Sequence, residues 1–149
     1  MSTDLRTLFS ELVRAETELW NAVDARLRRD VDLPLSWFEP MRVIDGMEAC
    51  RVFDIATALS VTVGGTSKLV DRIEAAGHCR RGPNPDDRRS SVIDLTPAGR
   101  SLFAKASKVF DDELHVRLAT VLTERSRRQL VTALKRIRSA TPEGGALDD

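Results

Sequence analysis

Apolar residues return at helical intervals over most of the chain, and the breaks between those stretches set out the elements. Leu5, Leu8, Leu12, Leu19, Val23 and Leu27, widened by Phe9 and Trp20, form one stripe. A first helix is therefore expected from a cap at Thr3 or Asp4 to about residue 29. Asp32-Leu33-Pro34 breaks it. Trp37, Met41 and Ile44 share one side of a second helix over 36–45, with Pro40 in its first turn, where a missing N–H does no harm. A loop is expected over 46–49 and a very short strand over 50–52. Two short helices follow, 54–59 and 62–77, linked by Ser60-Val61. Strand-like runs at 78–81 and 90–95 then flank Gly82-Pro83-Asn84-Pro85-Asp86-Asp87-Arg88-Arg89, which is turn chemistry ending in paired arginines. Thr96-Pro97 opens a long helix, with a threonine cap and proline at the first helical position. Its apolar positions run Leu102, Phe103, Ala106, Val109, Phe110, Leu114, Leu118 and Val121. Thr123 caps a last helix through about 138, striped by Leu130, Leu134 and Ile137. Residues 141–149 hold Pro, Gly-Gly and acids and read as a disordered acidic tail.

The segment 62–77 has both a start and a stop: Thr62 is a good N-cap, and Gly77 suits a left-handed end. Leu69, Val70, Ile73 and Ala76 face inward at helical spacing. The other side carries Thr62, Gly64, Gly65, Ser67, Lys68 and Arg72, small or hydrogen-bonding residues plus two cations. Two short helices joined this tightly match a helix-turn-helix, whose second helix lies in the DNA major groove. The arginine-tipped hairpin after it is a wing. The fold class is mainly α with a small β-wing, a winged helix-turn-helix. On residues 69–77, on Pro83-Asn84-Pro85-Asp86-Asp87-Arg88-Arg89-Ser90 and on Leu95-Thr96-Pro97-Ala98-Gly99, the chain resembles the MarR (multiple antibiotic resistance regulator) family. The resemblance spans nearly the whole chain. It implies a helical dimerisation region at 1–46 and 97–140 and a DNA-binding lobe at 47–96. A two-fold homodimer would then present two recognition helices about 34 Å apart to a pseudo-palindromic operator. It further implies a repressor that lets go of DNA when a small, often aromatic acid binds between the dimerisation helices and the DNA-binding lobe.

Length and charge narrow the alternatives. A chain of 149 residues is one domain's worth and can bury a sizeable core. With 23 basic and 23 acidic residues the formal net charge is zero, which argues against indiscriminate coating of nucleic acid. The distribution matters more than the total, because Lys68, Arg72, Arg80, Arg81, Arg88 and Arg89 all fall in the segment expected to face DNA. No stretch is long and apolar enough to span a membrane and the N-terminus is polar, so a cytoplasmic protein is expected. An enzyme fails on inventory: two distant histidines, no metal-ligand cluster, no glycine-rich phosphate loop after a strand, and no nucleophile with an evident base. No cofactor or metal site is expected. A helical dimerisation protein that does not bind DNA would explain the terminal helices and the neutral charge, but not the arginine-tipped wing.

Thr62, Gly64, Gly65, Ser67, Lys68 and Arg72 are the candidate groove contacts. Arg72 suits guanine or phosphate, Lys68 and the hydroxyls suit phosphates, and for Arg72 a salt bridge to an acid elsewhere is the open alternative. The family has side chains where this chain has Gly64 and Gly65. The pair costs the helix roughly 1–2 kcal/mol and allows close backbone approach to DNA, leaving more of the specificity to DNA shape. In the wing, Asp87 and Arg89 match the family's Asp-x-Arg pattern. The resemblance implies that Arg89 enters the minor groove while Asp87 orients it or braces the wing; Arg88 is a second candidate at the tip.

Candidate ligand-binding residues are Arg14, Trp20, Trp37, Phe38, Met41 and His115, with Arg14 for a carboxylate and the tryptophans for a ring. Core packing is the open alternative for Trp20, Phe38 and Met41. Cys79, beside Arg80 and Arg81, and Cys50 leave a thiol-based redox reading open, against a small buried core residue, since the family has apolar residues at both positions. The oxidation-sensing branch of the family carries its reactive cysteine in the first helix, and this chain has none there.

Overall fold

Asp4 opens the first helix by accepting the Arg6 amide on its carboxylate, and the stripe behind it carries α1 over Leu5–Val31. The computed structural model describes residues 2–140, so the expected tail at 141–149 lies outside the described residues. Helix α1 ends two residues later than expected because Asp32 takes a left-handed conformation and returns its N–H to the carbonyls of Arg28 and Leu27. Helix α2 covers Leu35–Asp45 and starts one residue early, which moves Pro40 past the first turn into the helix. There it is fully buried and packs in the core.

Helix α3 covers Val52–Leu59, starting earlier than 54 because Asp54 accepts the Arg51 amide at 2.9 Å and closes a capping box. The strand expected at 50–52 shrinks to one bridge, in which the Ile93 N–H meets the Cys50 carbonyl at 2.7 Å. Ser60 turns the chain in a left-handed conformation, and α4 runs over Val63–Ala75 from its Thr62 cap. Gly77 follows at φ +85°, and the His78 N–H closes the helix end on the Ile73 carbonyl. Strands β1 (Cys79–Pro83) and β2 (Ser91–Leu95) pair antiparallel, with Cys79 opposite Leu95 and Pro83 opposite Ser91.

Helix α5 covers Pro97–Leu114 and gives way to a π-helical turn over His115–Ala119, so the single helix expected through Val121 is interrupted. Helix α6 covers Glu124–Ala140 behind the Thr123 cap. Helix α2 is the hub. Phe38, Met41 and Ile44 are buried against α1, α3, β2 and α5, and Phe38 stacks between Phe103 and Phe110 at centroid distances of 5.3 and 4.8 Å. Val23, Leu27, Ile55, Val70, Ile73, Ile93 and Leu95 complete one continuous core. No helix among the described residues is long and apolar enough to cross a membrane.

Candidate nucleic-acid interface

The exposed side of α4 is assembled by its cap and its core contacts. Thr62 Oγ1 accepts the Gly65 N–H at 3.2 Å. Val70 and Ile73 are buried, and so is Thr66, whose hydroxyl is spent on the Thr62 carbonyl at 2.7 Å. That rotation leaves Gly64, Gly65, Lys68 and Arg72 facing outward. Lys68 and Arg72 lie one turn apart and have no acidic partner among the described residues. A Cβ at Gly64 would meet nothing within 4 Å, whereas one at Gly65 would lie 2.9 Å from the capping hydroxyl of Thr62. Gly65 therefore protects the helix start, a local role that the sequence reading missed.

The wing is held to this helix by Arg81. Its guanidinium pairs with Asp71 and donates to the Ser67 carbonyl and hydroxyl at 3.1 and 3.2 Å, while its backbone N–H reaches Glu74 at 2.6 Å. Arg81, grouped by sequence with the DNA-facing cations, is thus a clamp between β1 and α4. Ser67 is half-buried under it with its lone pairs partly engaged. A signal for this existed: Asp71 and Glu74 lie on the face of α4 next to the following strand.

At the wing tip, Asn84 and Asp87 fold the backbone. Asn84 Oδ1 accepts the Asp86 N–H at 3.0 Å, and Asp87 Oδ1 accepts the Arg89 N–H at 2.9 Å. Asp87 thus sets the Arg89 backbone and leaves its guanidinium uncommitted. Arg88 and Arg89 are exposed and carry no ion pair among the described residues. Between wing and helix lies a groove of about 330 Å³ bordered by Arg51, Phe53, Val63, Ser67, Arg89 and Ser91. Phe53 and Val63 are 60% and 51% exposed there. Sequence reading gave Arg51 and these two apolar residues no role.

The ligand candidates do not converge. Phe38 and Met41 are fully buried core. Trp37 is half-buried with its ring edge to His78, His115 is exposed, and Arg14 lies on open α1 surface between Glu11 and Glu18. Only Trp20 borders the cavity of about 220 Å³ between α1, α2 and α5, together with Leu19, Leu35, Phe110 and the charged Glu16, Glu39 and Arg42. Cys50 and Cys79 are both buried and unpaired as disulfides. Burial pushes each thiol up to about 11, with Asp54 adding to the effect at Cys50 and Glu74 at Cys79. Arg81 pulls Cys79 the other way but loses to burial. Burial therefore disfavours the reactive thiolate at both positions. Among the described residues no group of three His, Cys, Asp or Glu is placed to hold a metal.

The MarR family model matches residues 31–90, from the end of α1 to the wing tip. The multiple antibiotic resistance protein MarR of Escherichia coli (strain K12) is 29% identical over 107 residues, 72% of this chain and 74% of that protein. A MarR-family transcriptional regulator from Streptomyces coelicolor, solved in complex with DNA, has a TM-score of 0.88 at 20% identity, covering 100% of this chain and 95% of that one. BpsR of Bordetella bronchiseptica, whose DNA binding is regulated by 6-hydroxynicotinic acid, has a TM-score of 0.77 at 20% identity, covering 89% and 98%. At that identity the solved structures establish the fold, and the matched segment takes in α2, the two helices α3 and α4, and the first strand and tip of the wing.

Proposed function

We propose that this chain, a MarR-family winged-helix transcription regulator and not an enzyme, works as a homodimeric repressor on a pseudo-palindromic operator and is released from it by a small ligand. One observation carries the DNA side of this reading. Lys68 and Arg72 on α4, and Arg88 and Arg89 on the wing, are exposed and uncommitted, while Arg81 between them is committed through both terminal nitrogens to fixing wing to helix. A rigid pair of basic elements spaced by a clamp suits one groove and the neighbouring groove of a duplex. Lys68 and Arg72 would serve the major groove, with Thr62, Gly64 and Gly65 close to the backbone. Ser67 is left with its hydroxyl proton and one lone pair to offer.

The dimer rests on apolar surface that one chain leaves uncovered. Leu5, Phe9 and Val13 on α1 are 77%, 69% and 46% exposed, and Leu130, Val131 and Leu134 form a similar stripe on α6. Such stripes on terminal helices suit a two-fold partner carrying the same surface. The division into a dimerisation region at 1–46 and 97–140 and a lobe at 47–96 follows from this reading, and so does a cytoplasmic location, where operator DNA lies. For the ligand, the cavity beside Trp20 is the site of choice, and the regulation of BpsR by a small aromatic acid supports a small-molecule signal.

The test is binding at fixed salt, against random competitor DNA, to the DNA upstream of the protein's own gene and to fragments it selects from its genome. Tight binding that survives the competitor and weakens in Arg89→Ala is expected. Selection of no fragment above the random background would overturn the reading and favour a dimerisation module that does not bind DNA.

A further inference from the structure

We propose that the cavity between α1, α2 and α5 takes a single-ring organic cation, with its charge held between the Glu16 carboxylate and the Trp20 indole. This rests on the reading above that a small ligand of the helical part governs DNA binding.

Three charged side chains border the cavity: Glu16, Glu39 and Arg42. Arg42 is already paired. Its Nε donates to Glu39 Oε1 at 3.2 Å and its Nη2 to Glu39 Oε2 at 2.8 Å, and its guanidinium lies over the Phe110 ring, 5.7 Å from the centroid. Those two charges cancel, which leaves Glu16. Among the described residues Glu16 has no cationic partner, and its one hydrogen bond comes from the Thr17 hydroxyl at 3.5 Å. Glu16 and Trp20 stand four residues apart on α1, on the same face and one turn from each other.

Trp20 is 41% exposed, so its indole is open to a ligand. The remaining walls, Leu19, Leu35 and Phe110 among them, are apolar. A cavity of about 220 Å³ accommodates one ring and a compact head group rather than a fused ring system. A cationic head beside a carboxylate and over an indole gains Coulomb attraction and a cation–π contact together. An aromatic carboxylate in the same place would set its charge against Glu16 and would have to share Arg42 with Glu39. The aromatic acid that the family resemblance implies is therefore the competing occupant.

The full-length protein is titrated calorimetrically with benzyltrimethylammonium and with phenylmethanesulfonate, which join one ring to tetrahedral heads of opposite charge. Binding to the operator fragment is measured on the same samples without ligand. The cation is expected to bind at least about tenfold more tightly than the anion, and Glu16→Gln to remove most of that preference. Equal or tighter binding of the anion, cation affinity untouched by Glu16→Gln, or no heat from either probe would each overturn the proposal. Operator binding judges the regulator reading separately. If it is intact while the cation preference is missing, only the ligand class falls; if it is absent, the regulator reading falls whatever the probes do.

Discussion

Gly99 sits in the first turn of α5 with its Cα against the backbone of His78, and a Cβ there would lie 1.9 Å from the His78 carbonyl oxygen. The neighbour is backbone, itself bound by the Thr96 N–H at 3.1 Å, so it has little room to give. Gly99→Ala should therefore cost about 3 kcal/mol, read as a lowered Tm. Gly64 is the opposite case. Its surroundings are open and its conformation is helical, so Gly64→Ala should raise stability by about 0.5 kcal/mol through the unfolded chain. A fall in operator affinity in that more stable variant would assign Gly64 to DNA approach, whereas unchanged affinity would remove it from the interface. The two glycines look alike in sequence, and only the space around each separates them.

At the scale of elements, β1 and α4 act together because Arg81 ties them through Ser67, Asp71 and Glu74. Replacing Arg81 with Lys keeps the charge but loses the planar fork that spans Ser67 and Asp71. Operator affinity in Arg81→Lys should fall at least severalfold with the dimer intact, because the wing is no longer held at one angle to the helix. Arg89→Ala should act differently. It should weaken binding and reduce the slope of log affinity against log salt by about one contact. An unchanged salt slope in Arg89→Ala would remove Arg89 from the contacts to phosphate.

A second junction joins α1 to α5 and the π-helical turn. Arg26 meets Glu113 at 3.0 Å, Asp112 at 3.2 Å and Asp30 at 3.2 Å, and Arg117 approaches Glu113 at 3.0 Å from the other side. Glu113 is only 8% exposed, and hydrogen bonds from Arg117 and then Arg26 hold its carboxyl below the usual range against the opposing effect of burial. A depressed carboxyl contributes stability above its unfolded value, about 4, and loses it as pH falls through the lower folded value. Thermal melts of the native protein and Glu113→Gln should differ most near neutral pH and converge in acid. A difference that does not change down to about pH 3 would deny the network that role.

For the whole molecule, the uncovered stripes on α1 and α6 predict that folding and association are linked. Leu134→Glu should yield a monomer by sedimentation, with a lower Tm that no longer rises with protein concentration and with operator binding lost. A dimeric Leu134→Glu protein with native affinity would move the interface elsewhere.

Much of this molecule was legible in the sequence, and the reason is locality. Caps at Asp4, Thr62, Thr96 and Thr123, the left-handed Gly77 and the periodic apolar stripes each act within a turn or two of chain, so they set the element order and the wing directly. What the sequence left open depends on which neighbours the fold selects, most of them distant along the chain. Asp71, Ser67 and Glu74 decide that Arg81 is a clamp while Arg72 is free. Burial raises both cysteines away from the thiolate. A continuous core takes up Phe38 and Met41, and the pairing of Arg42 with Glu39 leaves the cavity beside Trp20 with a net negative charge. Neither electrostatics nor exclusion can be read from one residue, because each is set by whichever groups the fold brings within a few ångströms.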